Sequence, residues 1–368
     1  MPALSLVLLG LFGFDPQALY LWTAGDGESV REGARFELLL VSAGENTNYF
    51  GWSDWSGDGR TIAVDGKALD EQGRANPNEA VFLVDPETGA AQSLATGSVA
   101  SWSADERRLA MTRWRPRDRG LVLVDAETGQ SRSLGMYFWP QWLPGEGEIL
   151  VHADGEFFPT GHRLLNVETG QLREVQPRST QRRAKHIVDA GRAGLVTIAE
   201  VEGRDSVCLM TLDASSDPVR YDLTVLWQQP EGYFWLHDPK IALDSGDVFF
   251  TVARAEAPVD EDDERTDQQR QIVEVWRMRG QDPTTAAPIL RSRPGQQISE
   301  ISPSPDGRRL AVASNLYYFT PPDGGIVFED DLLVPPDDDA PQFDAEGRLK
   351  SSDNAAVPPN PTPANSSP

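Results

Sequence analysis

Two short phrases recur at a spacing of about forty residues, and a period of that length constrains the fold more than any other feature of the chain. The first is Trp-Ser-x-Asp-(Gly)-Arg followed by small and aliphatic residues. It runs from Trp55-Ser56-Gly57-Asp58-Gly59-Arg60 to Val64, returns from Trp102-Ser103-Ala104-Asp105-Glu106-Arg107 to Ala110, loosens between Trp142 and Leu150, and recurs as Ile301-Ser302-Pro303-Ser304-Pro305-Asp306-Gly307-Arg308. The second is an aliphatic run closed by Glu-Thr-Gly, as in Val81 to Gly89, Leu121 to Gly129 and Leu164 to Gly170. The two phrases alternate in step.

Each phrase places turn formers between runs of four to six β-forming residues, with glycine where a tight hairpin needs a positive φ. No stretch shows a helical period. Four short strands per unit is the pattern of a propeller blade. Residues 50–96, 98–136 and 138–176 fit it cleanly, 184–225 with a degenerate first strand, 233–291 with an acidic insertion, and 298–334 with a shortened outer hairpin. Ala18 to Gly27 then reads as a third strand and its turn, with Leu4 to Leu11 as the strand before it and Ala340 to Phe343 as an inner strand. The prediction is an all-β propeller of six to seven four-stranded blades, seven preferred, closed by strands from both termini. It spans 1–349, and 350–368 is a disordered tail rich in Pro, Asn and Ser. Residues 1–18 read alternatively as a signal-like segment. Met1 to Phe14 is apolar but short of the ~20 residues of a membrane helix, and it has no basic n-region.

The phrase Ser304-Pro305-Asp306-Gly307-Arg308-Arg309-Leu310-Ala311, with its relatives at 56–63 and 103–110, resembles the repeat of TolB-like (WD40-like, PD-type) β-propellers. That repeat also occurs in the propeller halves of prolyl-oligopeptidase-like and tricorn-like proteases. The resemblance covers 50–176 and 298–314 by motif and 184–291 by spacing. It implies the fold, and members of the family include partners of envelope complexes and enzyme gates. It also implies export to the periplasm or outside, with peripheral envelope association. The cytoplasm is the alternative.

The chain has 33 Lys+Arg against 57 Asp+Glu, a formal charge of −24, which repels phosphate backbones and excludes general nucleic-acid binding. A single cysteine, Cys208, allows no internal disulfide, and its strand-like setting predicts a buried thiol. Catalytic signatures are absent. His152, His162, His186 and His237 lack metal-ligand spacing, and no G-x-S-x-G elbow, Walker loop or G-x-G-x-x-G follows a strand. No catalytic residue, metal or cofactor is expected.

Within a blade, the short a–b and c–d turns lie on one face, and the long b–c and d–a loops on the other. Function concentrates on variable loops held by a rigid scaffold. That second face is predicted to carry Tyr49, Phe50, Tyr137, Phe138, Trp139, Tyr233, Phe234 and Trp235 entering inner strands, and Trp114 beside Arg113, Arg115 and Arg117 in a b–c loop. Arg182 and Arg183 occupy a d–a loop. Rings with polar tips beside cations suit a peptide or protein partner. The competing reading of the aromatics is that they wedge blades together. The expected function is a non-catalytic protein- or peptide-binding propeller. The alternatives are a hydrolase or lyase acting on a glycan in the channel, or a structural envelope component.

Overall fold

The computed structural model describes residues 17–25, 34–41, 47–69, 75–114, 117–145, 147–152, 161–179, 184–255, 271–292 and 298–315. Among these, every regular element longer than one turn is a strand. The strands fall into six antiparallel meanders, each written here as strands a to d. The first is Thr47–Trp55, Ile62–Leu69, Ala75–Val84 and Ala91–Thr96, and the second is Ser98–Trp102, Arg108–Arg113, Gly120–Asp125 and Ser131–Gly135. The third is Phe138–Trp142, Glu148–His152, His162–Asn166 and Leu172–Pro177. The fourth is Ala184–Gly191, Gly194–Val201, Arg204–Asp213 and Val219–Gln228. The outer strands of the third and fourth pair in parallel over Val175–Pro177, which merges the two into one eight-stranded sheet. The fifth is Tyr233–Ile241, Val248–Ala255, Gln271–Met278 and Ala287–Arg291.

The sixth meander joins the two ends of the chain. Ile298–Pro303 and Arg309–Asn315 are its strands a and b, Gln17–Thr23 is c, and Arg35–Val41 is d. The side chains of strand c explain the pairing. Ala18, Tyr20 and Trp22 pack with Phe249 and Val275 of the fifth unit, while Leu19 and Leu21 pack with Phe50, Trp55 and Ile62 of the first. A strand gripped on both faces needs apolar residues at every position, which is how this run reads. The sequence reading had given 298–334 an outer hairpin of its own and set Ala18 to Gly27 in a further blade. Instead, the N-terminal segment supplies the outer strands of the sixth unit, and Arg35–Val41 is an element that reading did not identify. Segments 4–11 and 340–343, and the tail 350–368, lie outside the described residues.

The repeated phrases close turns and clasp neighbouring units. Ser56 Oγ donates to Asp58 Oδ1 at 2.7 Å, and that oxygen accepts the Arg60 amide at 3.0 Å. Ser103–Asp105 and Ser304–Asp306 repeat the bond at 2.6 Å each. In the Glu-Thr-Gly turn, Asp85 Oδ1 accepts the amides of Glu87 and Thr88, and Gly89 takes φ 68°. Arg309 of the sixth unit lies 4.8 Å over the Trp55 ring of the first and pairs with Glu87 at 2.7 Å. Arg108 repeats the clasp from the second unit to the third, over Trp142 and onto Glu168. Both glutamates are largely exposed, so each ion pair contributes only ~0–1 kcal/mol. Apolar packing between units carries the rest, as where Leu19 and Leu21 meet Phe50 and Ile62, while Cys208 is buried within the fourth unit itself.

Deleting residues 1–41 strips strands c and d from the sixth unit and bares the edge of Arg309–Asn315. The truncated protein is expected to lose its cooperative thermal transition or to aggregate, as followed by circular dichroism and light scattering. A truncation that melts like the full chain would disprove the pairing of the two ends.

Candidate functional site

The innermost strands shape the centre of the molecule. In every unit the a–b register is interrupted, for example between Ser98 and Ser101, Phe138 and Gln141, and His237 and Lys240. At these bulges Val99, Trp139 and Asp238 take φ of 53°, 53° and 54°. A β-branched residue in that region is strained by ~1–3 kcal/mol, so its surroundings must hold it there. The preceding unit does so: Asp65 Oδ2 accepts the Val99 amide at 2.7 Å, and Thr112 Oγ1 accepts the Trp139 amide at 3.1 Å.

Bulges re-aim side chains, and here they aim them at the centre. Trp52 of the first unit meets Trp139 of the third edge-on at 5.9 Å, and Lys240 Nζ of the fifth lies 3.5 Å from the Trp52 ring centre. Inner strands of alternate units can touch only across the space between them. Lys240 is fully buried and pairs with Glu300 at 2.7 Å and Asp238 at 3.4 Å. Desolvation opposes its charge, yet Asp238, Glu300 and Asp189 outweigh that penalty and raise its pKa. Burial and the charge of Asp238 push Glu300 well above the usual carboxylate range.

On the side of the a–b turns the centre opens into a cavity of about 230 Å³. Its wall carries the residue just before the end of each inner strand or its equivalent: Asp54, Ser101, Gln141, Asp189, Lys240 and Ser302. Three of these also hold the seams between units. Asp54 Oδ2 accepts the Trp102 amide at 2.8 Å, Ser101 Oγ the Trp142 amide at 2.9 Å, and Asp189 Oδ2 the Ile241 amide at 2.7 Å. Burial, and then the charge of Asp189, push Asp54 up to about 7 despite that amide bond. Burial raises Asp189 to about 6 against the pull of Lys240.

The aromatic and basic residues chosen from the sequence divide into separate groups. Trp114, Phe138 and Trp139 do come together: Trp114 stacks on Phe138 at 5.2 Å and meets Trp139 edge-on at 6.0 Å, with Arg119 over the first two rings. Phe50 and Phe138 are fully buried, so neither can touch a partner. They wedge units together, because the residue before the bulge points into the seam. Tyr233 donates its hydroxyl to Glu274 at 2.9 Å and packs with Trp227 and Trp276. Trp235 stacks on His237. Arg113 is tied to Thr96 O, Ser131 and Asp118, whereas Arg117 and Phe234 are exposed. Arg115, Arg182, Arg183 and the side chain of Tyr49 lie outside the described residues. Sequence reasoning missed Lys240, Asp54 and Asp189. Their common signal is their place, one or two residues before the end of the inner strand, a position that varies in identity from unit to unit.

No protein-family model matches the chain, and no curated protein does. Among solved structures, a putative TolB from Agrobacterium tumefaciens superposes with a TM-score of 0.54 at 12% identity, covering 82% of this chain and 99% of that one. The fold is that of a TolB-like β-propeller. TolB from Acinetobacter baumannii gives a TM-score of 0.44 at 12% identity over 81% of this chain and 64% of that one. Oligogalacturonate lyase from Vibrio parahaemolyticus gives 0.41 at 12% over 82% and 98%. In propeller terms each described meander is a blade, and the cavity lies at the a–b-turn end of the space between the inner strands.

Protonation of the buried carboxyls couples to stability. Asp54 and Asp65, raised by burial from 3.8 to about 7, and Asp189, raised to about 6, keep protons in the fold that the unfolded chain has lost. Their stabilising contribution is complete below the unfolded pKa and lost as pH rises through the folded values. His162, lowered by burial from 6.5 to about 4, acts oppositely, its contribution fading as pH falls through that window. Asp54→Asn and Asp65→Asn keep an acceptor and remove the titration. Each is expected to flatten the fall in stability toward pH 7 by up to ~1.4 kcal/mol per pH unit in denaturant melts. Unchanged pH profiles in both variants would reject the assignment.

Proposed function

We propose that the chain is a six-bladed propeller, closed by strands from both ends, that binds a protein or peptide without catalysing a reaction. The binding face is the one carrying the b–c and d–a connections. The observation that carries this reading is the placement of exposed apolar side chains. Among the described residues, Met136 and Phe234 are the large apolar side chains left exposed, at 57% and 56%. Met136 stands on the d–a connection entering the third blade, and Phe234 at the start of strand a of the fifth, just past its d–a connection. Exposed apolar groups set on a rigid frame beside cations are what a partner's anchor residues need. Arg117 and Arg119 supply the charge, and the indoles of Trp114 and Trp139 lie behind them. The proposed setting is the periplasm or the outside of the cell.

A second reading has one observation in its favour. Asp54 and Asp189 bring two carboxyls with raised pKa to the channel, as a glycan hydrolase or lyase would require. A panel of glycoside and polyuronide substrates showing turnover that Asp54→Asn abolishes would establish it.

The binding reading is tested by selecting displayed peptides on the immobilised protein and measuring affinities by fluorescence polarisation. Phe234→Ala and Met136→Ser are expected to weaken selected peptides at least ~10-fold, or ~1.4 kcal/mol each. Arg60→Glu, on the opposite face, is expected to leave them unchanged. Peptides insensitive to both substitutions would reject this face.

A further inference from the structure

The channel cavity at the a–b turns is lined by three carboxyls against two cations, and the charge of Lys240, which pulls on Asp54 and Asp189, is shared with Glu300 and Asp238. Five charged side chains line it: Asp54, Glu106, Asp189, Arg192 and Lys240. Both cations are already engaged, Lys240 by Glu300 and Asp238, and Arg192 by Asp244 at 3.0 Å. Among the described residues, no Lys or Arg nitrogen lies within 4 Å of Asp54, Glu106 or Asp189. Asp54 and Asp189 are held in place from behind by the amides of Trp102 and Ile241, so neither can swing out to find solvent or a surface cation. Beyond burial, the charge of Asp189 also raises the pKa of Asp54.

Shape and the remaining lining narrow the ligand. At about 230 Å³ the space is below the usual range for a drug-sized ligand, ~300–1,000 Å³, and suits one extended side-chain-sized group. Trp55, Trp102 and Trp142 contribute to its wall, and indoles attract cations as well as alkyl stems. Ser101, Gln141 and Ser302 add neutral hydrogen-bonding groups. Fixed carboxylates, indole walls and a narrow bore favour a slender cation on an alkyl stem. We propose that this cavity binds an alkylammonium or guanidinium group, held between Asp54 and Asp189 with its stem along the tryptophans. The group comes either from a free amine or from a Lys or Arg side chain of a protein docking on the short-turn face. This site is separate from the partner-binding face proposed above.

Such a ligand displaces the protons that burial, above all, keeps on Asp54 and Asp189. Binding therefore releases protons near neutrality and tightens as pH rises. Lys240, Glu106 and Arg192 also face the cavity; against the penalty of burial, the neighbouring carboxylates hold the Lys240 pKa above its ordinary value, and burial raises that of Glu106.

The test is calorimetric titration of the full chain with agmatine, and with a short uncharged peptide carrying one arginine, at pH 5.5 and pH 8. A matching citrulline peptide is the neutral control. The expected result is binding at pH 8 at least ~10-fold tighter than at pH 5.5, no response to citrulline, and proton release seen as a dependence on buffer ionisation heat at pH 6.5. Asp54→Asn and Asp189→Asn, each retaining the amide acceptor, are expected to lose at least 10-fold. Binding of agmatine alone identifies a free amine, and binding of the peptide alone identifies a partner's side chain. Absence of binding by both at pH 8, or equal binding at the two pH values without proton release in the wild-type protein, overturns the proposal even if a variant fails to fold. None of these readouts involves Met136 or Phe234, so the outcome is independent of the peptide-selection experiment.

Discussion

The molecule depends on how its innermost strands satisfy the amides that face a neighbouring blade. Those strands do not form a backbone ladder with each other, and a buried amide left alone costs ~1–3 kcal/mol. The solution is a side chain. Asp54, Ser101 and Asp189 each reach across to the amide at the end of the next inner strand. At the fifth seam the next strand offers Pro303, which has no N–H. No acceptor is required there, and the position holds Lys240. Relieved of the seam, its ammonium turns to Glu300, Asp238 and the face of Trp52. One proline thus accounts for a buried cation at the centre of an acidic protein.

That cation and the bulges together divide the channel. Trp139 at positive φ and Trp52 opposite it close the middle, with Lys240 beneath. An ion cluster this well buried does not stabilise a fold by itself, since desolvating each charge costs several kcal/mol. Its value lies in position: the ammonium sits on the face of Trp52, which in turn meets Trp139 edge-on. The aromatic wedge of Trp114 and Phe138 rests on the same stack. Repetition of an aromatic entering inner strands is therefore mostly blade packing, with Trp52 and Trp139 meeting at the centre.

How much of this was legible depended on range and regularity. The turns at Ser56–Asp58 and Asp85–Gly89 are local hydrogen-bond circuits, so their residues recur and the blade pattern could be read directly. Closure could be anticipated, but its partners could not. Gln17–Thr23 finds Arg309–Asn315 at the far end of the chain, and only the apolar character of both faces of the strand hinted at the grip. Arg35–Val41 carries neither phrase and left no mark. The cavity was invisible for the opposite reason to the turns. Its six wall positions hold Asp, Ser, Gln, Asp, Lys and Ser, chosen for what each seam and the channel require, so no repeat betrays them. Attention to variable long loops pointed to the other face.

The two faces have different physical characters. One presents apolar side chains and arginines on its loops. The other is built from short uniform turns and leads into a narrow shaft whose carboxyls are fixed by the seams. Trp139, Trp52 and the buried Lys240 stand in sequence at the centre, so a ligand entering from the short-turn side meets charge first. Pulling Lys240 away would strand Glu300 and Asp238 in the interior, at a cost of ~3–5 kcal/mol. That cost holds the ion cluster in place and keeps the chemistry of the two faces distinct.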